Sequence, residues 1–150
     1  MTPTEPCRAV VLDTNVALDL LLFEDASTAA LREALQQGRL RWLVLPSMRA
    51  EFARVLHYPH LLAWRQARGR SADAALAAFD ASSRMVDTVP AAAPVRCSDP
   101  DDQVFIDLAV AHRAVLLSKD RAVLAPRARL AALGVNVLQQ LVTNRHPGCT

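Results

Sequence analysis

Four well-separated segments place carboxylates at or shortly after predicted strands: Asp13, Glu51, a group at positions 99–102, and Asp120. Asp13 ends a short apolar run that predicts a buried strand, and Asp120 follows a second such run by two residues. If the fold brings these carboxylates close together, they repel each other unless a cation lies between them. Mg²⁺ and Mn²⁺ prefer carboxylate oxygens, and such an ion activates water and stabilises charge on a phosphate. The acids therefore predict metal-dependent phosphodiester chemistry.

The cations have an uneven distribution, although the net charge is only +2. Sixteen of the seventeen are arginine, and positions 39–70 hold seven arginines with Glu51 as the single acid. Arginines beside an acidic pocket suit an enzyme that binds a phosphate backbone. The same arginines could simply solvate helix faces, and this feature alone does not separate the two interpretations. The candidate RNA-binding side chains are Arg49, Arg54, Arg65, Arg68 and Arg70.

The elements that would position these residues alternate between strand and helix. Apolar runs predict strands over 8–13, 41–45, 86–89, 114–118 and 135–138. Amphipathic segments predict helices over 16–23, 27–37, 47–57, 60–68, 71–85, 100–112 and 127–133. This alternation indicates an α/β fold with a parallel sheet covered on both faces. Ligands of such sheets bind at the carboxyl ends of the strands, where the acids are predicted to lie.

Four motifs give the sequence a family resemblance. They are Val11-Leu12-Asp13-Thr14-Asn15, Pro46-Ser47 followed by Glu51, Ser98-Asp99-Pro100-Asp101-Asp102 leading to Leu108-Ala109, and Leu117-Ser118-Lys119-Asp120. Each motif alone is weak, but their order and placement agree over roughly residues 9 to 141. The chain resembles PIN-domain ribonucleases, and most closely the toxins of toxin–antitoxin pairs.

This resemblance implies a compact three-layer α/β/α sandwich, a single domain over 1–150 with its core at about 8–141. It implies hydrolysis of phosphodiesters in single-stranded or looped RNA, with Mg²⁺ or Mn²⁺ as the cofactor and an antitoxin protein as a partner. The residues that match the family's catalytic, metal-binding acids are Asp13, Glu51, Asp102 and Asp120. Asn15 and Ser47 match polar positions often found beside the metal.

Among the neighbouring acids, Asp102 is chosen because it stands seven residues before Ala109, an offset that the family's third acid keeps. Asp99 precedes Pro100 and is expected to cap the helix while supporting the site. Asp101 is expected to be solvated near the helix dipole, and Asp107 to be exposed. Asn15, rather than Asp13, is the expected cap of the first helix.

Two other interpretations stay open. Asp13-Thr14-Asn15 resembles the motif of aspartyl-nucleophile phosphatases, which carries a second aspartate where Asn15 stands. The chain could also be a non-catalytic scaffold that binds RNA or a protein, although the four acids argue against this. His57 and His60 have HxxH spacing, but Tyr58-Pro59 between them breaks the helix needed to align a metal pair.

Compartment and assembly leave weaker signals. An odd number of cysteines without CxxC spacing favours a reducing cytoplasm, and no apolar stretch suggests a leader or a membrane span. A homodimer is open, with an apolar seam expected from 20–23, 61–64 and 76–79.

Overall fold

A parallel five-stranded sheet forms the centre of the protein in the computed structural model, which describes residues 7–141. Its order is β3-β2-β1-β4-β5, and every neighbouring pair is parallel. The strands are β1 (Arg8–Leu12), β2 (Leu40–Val44), β3 (Ser83–Met85), β4 (Val115–Leu117) and β5 (Asn136–Leu138). The predicted α/β class with a parallel sheet is confirmed.

Eight α-helices connect the strands within the described residues. They are α1 (Thr14–Leu21), α2 (Ala29–Gln36), α3 (Pro46–Val55), α4 (Pro59–Arg68), α5 (Ala72–Ser82), α6 (Gln103–His112), α7 (Arg121–Leu124) and α8 (Arg127–Ala132). Short 3-10 helices at Ala26–Thr28 and Pro100–Asp102 precede α2 and α6.

The third strand is the clearest error of the sequence prediction. It spans Ser83–Met85, with Ser83 opposite Trp42 of β2, whereas the prediction placed it at 86–89 and carried the preceding helix through Met85. Ser83 already has extended backbone, and its hydroxyl donates to Phe79 O at the end of α5. The strand that pairs with β2 therefore begins at Ser83, three residues before the apolar run at 86–89.

The connections place the helices in two layers. From β1 the chain moves outward to β2 and β3, and after α6 it returns beside β1 as β4 and continues to β5. Right-handed crossovers put α1–α5 on one face of the sheet and α6–α8 on the other. Consistently, α1 contacts α3 and α5, while α6 packs on β1 and β4 and α8 on β5. The architecture is the expected α/β/α sandwich.

An aromatic cluster lies in the core under β2. Trp42 and Phe79 meet edge to face with centroids 4.7 Å apart, and Phe52 lies 4.9 Å from Phe79. Three side chains of the expected dimer seam, Leu20, Leu61 and Phe79, are buried in the chain's own core and are not available to a partner. The homodimer itself stays a prediction.

The sheet has a topological switch point between β1 and β4. These strands are neighbours, yet the connections that follow them leave in opposite directions. A crevice opens at the carboxyl ends of such a strand pair, which is where ligands of open parallel sheets bind. None of the helices within residues 7–141 is long and apolar enough to cross a membrane.

Candidate metal centre

A cleft of about 380 Å³ opens at the carboxyl ends of β1 and β4. The four acids that the resemblance selected all line it: Asp13, Glu51, Asp102 and Asp120. The rest of its lining is mainly apolar and aromatic and comes from α1, α3, α4 and α6 and from residues that flank α1 and α4. These residues are Thr14, Asn15, Leu18, Phe23, Val55, Tyr58, His60, Leu61 and Phe105.

Asp13 lies deepest among the acids, with only 4% of its surface exposed. Its Oδ1 accepts the Val16 amide at 2.9 Å and thereby caps α1, and its Oδ2 accepts from the Ser118 hydroxyl. The expectation that Asn15 caps this helix is wrong; Asn15 is exposed and lines the cleft. Burial raises the pKa of the Asp13 carboxyl, because desolvation outweighs the two hydrogen bonds that favour its charged form.

Ser118 joins two of the acidic segments. It is fully buried at the end of β4, and its Oγ accepts the Asp120 amide at 3.1 Å while donating to Asp13. Asp120 in turn caps α7 by accepting the Ala122 amide at 2.9 Å. We did not select Ser118 from the sequence, although a hydroxyl that ends the apolar run 114–117 is the signal that could have identified it.

Asp102 carries the strongest electrostatic perturbation in the cleft. Burial raises its pKa to about 7, with further contributions from a hydrogen bond and charge repulsion by Asp120 and from the charges of Asp99 and Asp13. Its Oδ2 is buried and has no hydrogen-bond partner within the described residues. A buried, unpartnered carboxylate oxygen is costly, and a bound cation would remove that cost.

Asp99 has two roles at this site. Its Oδ1 accepts the Asp101 amide at 3.0 Å and caps the 3-10 helix, as the Asp-Pro pair predicts. One carboxylate oxygen each of Asp99, Asp102 and Asp120 also lies within 4.8 Å of the others, which makes Asp99 a member of the carboxylate cluster. Asp101 is exposed and lines none of the cleft.

Glu51 reaches the cleft from α3 and is held by a neighbour that the prediction missed. The hydroxyl of Thr14, which directly follows Asp13, donates to Glu51 Oε2 at 2.8 Å. Ser47, expected beside the metal, is exposed and does not line the cleft. The supporting hydroxyl therefore comes from the first motif rather than from the second.

The carboxylates fit a hard divalent cation. Two oxygens bound to one Mg²⁺ at about 2.1 Å are about 3 to 4 Å apart. The 4.8 Å limit of the Asp99–Asp102–Asp120 cluster is close to that span, so small side-chain rotations suffice for shared ligation. The orphaned Asp102 oxygen and the all-oxygen donor set agree with Mg²⁺ or Mn²⁺ rather than a thiolate-bound metal.

A buried amide holds the segment that delivers Asp99 and Asp102. Gln103 accepts the Cys97 amide at 2.6 Å and donates to Val95 O and to Asp107 Oδ1. Asp107 Oδ1 also accepts the Ala93 amide at 2.9 Å. The expectation that Asp107 is exposed is wrong: it is partly buried and ties the loop before the 3-10 helix to α6.

The predicted RNA-binding arginines lie outside the cleft, and most already have partners. Arg49 pairs with Asp80 and Arg70 with Glu24, each at 2.7 Å, and Arg68 lies 4.4 Å from the centre of the Trp64 ring. Arg54 is exposed.

Arg65 differs from the expectation. It is 7% exposed, its Nε donates to Leu56 O at 3.0 Å, and it also donates to Arg70 O. This side chain holds the ends of α3 and α4 together, so it is not part of an RNA surface.

The two histidines of the HxxH spacing are separated by the structure. His60 lines the cleft, whereas His57 is exposed and does not. Tyr58 has extended backbone and precedes Pro59 at the start of α4, so no helix aligns the two imidazoles. The expectation against a histidine metal pair agrees with this geometry.

Fold and site together define an α/β domain whose carboxylate centre, at the switch point of a parallel sheet, is suited to a divalent cation. The profile of the PIN domain matches residues 9–122, which is most of the chain, and the protein belongs to this family. PIN domains are typically nucleases that act on RNA and generally use a divalent metal. The chain matches no curated protein.

Proposed function

We propose that this protein is an endoribonuclease that depends on Mg²⁺ or Mn²⁺. The observation that carries the proposal is the state of Asp102: its pKa is raised to about 7, and its buried Oδ2 has no partner among the described residues. A perturbed carboxyl in a cleft, surrounded by other acids, is typical of a functional site and costly without a cation.

Asp13, Glu51, Asp102 and Asp120, which line the cleft, would hold the ion. Asp102 and Asp120 already lie within 4.8 Å of each other and of Asp99, whereas Asp13 and Glu51 do not belong to this close cluster. A bound Mg²⁺ or Mn²⁺ supplies an activated water and stabilises negative charge on the phosphate. The protein's own contribution is orientation. Hydroxyls fix two of the acids, since Ser118 donates to Asp13 and Thr14 donates to Glu51.

The RNA backbone would be bound outside the cleft, because no arginine or lysine is among the residues that line it. The proposed contacts are Arg49, Arg54, Arg68 and Arg70, which lie on α3, α4 and the turn after α4. Arg49 and Arg70 would have to leave Asp80 and Glu24 to contact phosphates. This costs little free energy, since surface ion pairs contribute little stability.

We further propose a biological role as the toxin of a toxin–antitoxin pair in the cytoplasm. The support is the resemblance of the four motifs to that branch of the family. Its test is genetic: a small gene adjacent to this one should encode a protein that binds the chain and suppresses its RNA cleavage. Cleavage that no adjacent gene product affects would favour RNA processing or decay.

A phosphatase with Asp13 as nucleophile fits this protein less well. The motif of that class carries a second aspartate two residues after the nucleophile, and this chain has Asn15 there. The acid that would assist an aspartyl nucleophile is therefore missing.

The decisive experiment is incubation of a mixed RNA pool with the protein in Mg²⁺, Mn²⁺ or EDTA. Cleavage is expected with either ion and should stop in EDTA, and Asp102→Asn should be inactive under all three conditions. Equal cleavage in EDTA and Mn²⁺ would contradict a metal mechanism. Binding of RNA without cleavage under every condition would indicate a non-catalytic scaffold.

A further inference from the structure

Beyond its acids, the cleft has a second kind of lining that metal binding does not require. Four rings line it: Phe23, Tyr58, His60 and Phe105. Phe105 is 2% exposed and belongs to the core, and Phe23 packs edge to face on Trp64 at 4.8 Å. Tyr58 and His60 differ, since both are exposed.

Tyr58 is 41% exposed, one of few large apolar side chains so exposed among the described residues. Its ring centre lies 6.5 Å from that of His60, with the planes inclined by 49°. Neither side chain makes a hydrogen bond to protein within residues 7–141. Two adjacent, exposed rings that line a cleft are suited to contact with a planar ligand.

The backbone under these rings is well fixed. Tyr58 precedes Pro59, which restricts it to extended conformations, and it begins α4. The Tyr58 amide donates to Val55 O at 3.0 Å, and its carbonyl accepts the Leu62 amide at 2.8 Å. Leu61, next to His60, is 4% exposed and anchors this turn in the core. The backbone that carries the rings is therefore fixed before a ligand arrives, which lowers the entropic cost of binding.

Charge limits which part of a nucleic acid can lie against these rings. The cleft contains four carboxylates and no arginine or lysine, so a phosphate is repelled except at a bound cation. A nucleobase is uncharged and has two flat faces. Bases within a duplex are stacked on each other, so only an unpaired base can contact the rings.

We propose that Tyr58 and His60 form a stacking wall for one unpaired nucleobase beside the carboxylate centre. This inference rests on the proposed function and deepens it, because it assigns substrate discrimination to two named side chains. Single-stranded or looped RNA places a base on the wall, and fully paired RNA cannot. His60 acts here through its ring face rather than through its charge.

The test is equilibrium binding of a single-stranded oligonucleotide that contains 2-aminopurine, whose fluorescence is quenched on stacking. Binding is measured with Ca²⁺ on the unaltered chain, in which all the carboxylates of the cleft are kept. Tyr58→Ala and His60→Ala should each weaken binding about 5- to 100-fold, as loss of one base–aromatic contact does. They should also reduce the quenching at saturation.

Matched variants separate stacking from other roles. Tyr58→Phe and His60→Phe keep a ring and should restore binding and quenching, whereas His60→Lys introduces a cation without a ring and should not. His57→Ala, outside the cleft, is the control and should bind like the unaltered chain. Duplex RNA of the same sequence should bind equally to all variants.

The inference is overturned if both alanine variants bind and quench normally, or if His60→Lys restores binding and His60→Phe does not. Failure of the proposed function looks different. In that case no variant cleaves RNA in any metal, while the quenching and its loss in Tyr58→Ala remain measurable. Cleavage that persists unchanged in both alanine variants, with single-stranded and duplex RNA alike, would contradict the stacking role of Tyr58 and His60 but not the proposed nuclease activity.

Discussion

Ser118 donates its hydroxyl hydrogen to Asp13 across 105 positions of sequence, and the same oxygen accepts the amide of Asp120. A fully buried side chain thus connects the ends of β1 and β4 and fixes the spacing of two acids. A smaller side chain at this position would leave Asp13 with one hydrogen bond fewer and Asp120 without its backbone contact.

Ser118→Ala should therefore destabilise the fold and weaken metal binding together. Loss of a buried hydrogen bond to a charged group costs about 1.5–3 kcal/mol, and the pKa of Asp13 should rise further. Urea unfolding and Mn²⁺ calorimetry measure the two effects. Ser47→Ala, exposed and outside the cleft, is the matched control and should change neither. Unchanged Mn²⁺ affinity in Ser118→Ala would contradict the orienting role.

Stability of the metal-free protein should fall as pH rises from about 4 to about 7. The pKa of Asp102 is about 7 in the folded protein against its ordinary 3.8, so the folded state binds more protons over this interval. Burial of Asp13 acts in the same direction. Thermal unfolding in EDTA at pH 5 and pH 8 measures the loss, and Asp102→Asn should flatten the dependence.

Added Mn²⁺ should reverse this trend, because it binds the deprotonated carboxylates. At a free concentration of one hundred times Kd it should add about 2.7 kcal/mol, and the gain should be larger at pH 8 than at pH 5. Equal stabilisation by Mn²⁺ at both values would show that the ion binds elsewhere.

Asp102→Asn and Asp101→Asn should differ in metal binding but not in helix support. Both residues lie in the 3-10 helix before α6, where loss of a charge costs about 0.3–1 kcal/mol of dipole interaction. Asp102→Asn should abolish RNA cleavage and Mn²⁺ binding, and it should stabilise the metal-free protein at pH 8 by removing repulsion with Asp120. Asp101→Asn should behave like the unaltered chain.

Asp99→Asn completes this series. Asparagine caps a helix as well as aspartate does, so stability should be retained. Since Asp99 contributes an oxygen to the cluster, Mn²⁺ affinity should fall, though less than in Asp102→Asn. An active Asp102→Asn combined with an inactive Asp101→Asn would place the metal-binding acid one residue earlier.

Gln103→Ala should loosen the loop that delivers Asp99 and Asp102. The substitution leaves the Cys97 amide and Val95 O without their partner and opens space at a site that is 7% exposed. We expect a loss of about 1–3 kcal/mol in the free energy of unfolding, together with weaker Mn²⁺ binding. Gln103→Glu keeps the acceptor but loses the donor to Val95 O and Asp107, and it should be intermediate at neutral pH.

RNA affinity should depend on the arginines that remain exposed. Replacement of Arg54, Arg68 and Arg70 by alanine should weaken binding similarly for all sequences and lower the salt slope by about one unit for each lost phosphate contact. Arg65→Ala is expected to lower the melting temperature instead, because its Nε holds Leu56 O. Unchanged affinity of the triple variant at moderate salt would place the RNA path elsewhere.

The sequence predicts the strands that carry the acids well, because their apolar runs are long enough to bury on both faces. It misplaces β3, since pairing with β2 and not local hydrophobicity decides where that strand lies. It also misassigns the cap of α1, because Asp13 can cap the helix and face the cleft at once. Hydrophobic periodicity and capping propensity assign a single role to each residue. They do not anticipate a side chain that both caps a helix and lines the cleft.

The supporting contacts of the site were beyond sequence reasoning for a related reason. Thr14 meets Glu51 across 37 positions, and Arg65 turns inward to a backbone carbonyl. Both facts depend on how α1, α3 and α4 pack, and nothing in the sequence distinguishes Arg65 as buried from the six other arginines of positions 39–70.

The adjacency of β1 and β4 has a consequence during synthesis. Asp13 leaves the ribosome more than one hundred residues before Asp120, and the partner strand that sets Asp13 in place, with its hydroxyl at Ser118, is made only shortly before Asp120. A nascent chain that ends before β4 contains Asp13 but lacks Ser118 and Asp120, so the carboxylate cluster cannot form. Translation thus delays assembly of the carboxylate cluster until most of the polypeptide has emerged, and fragments truncated before Val115 lack the strand and the acid that complete it.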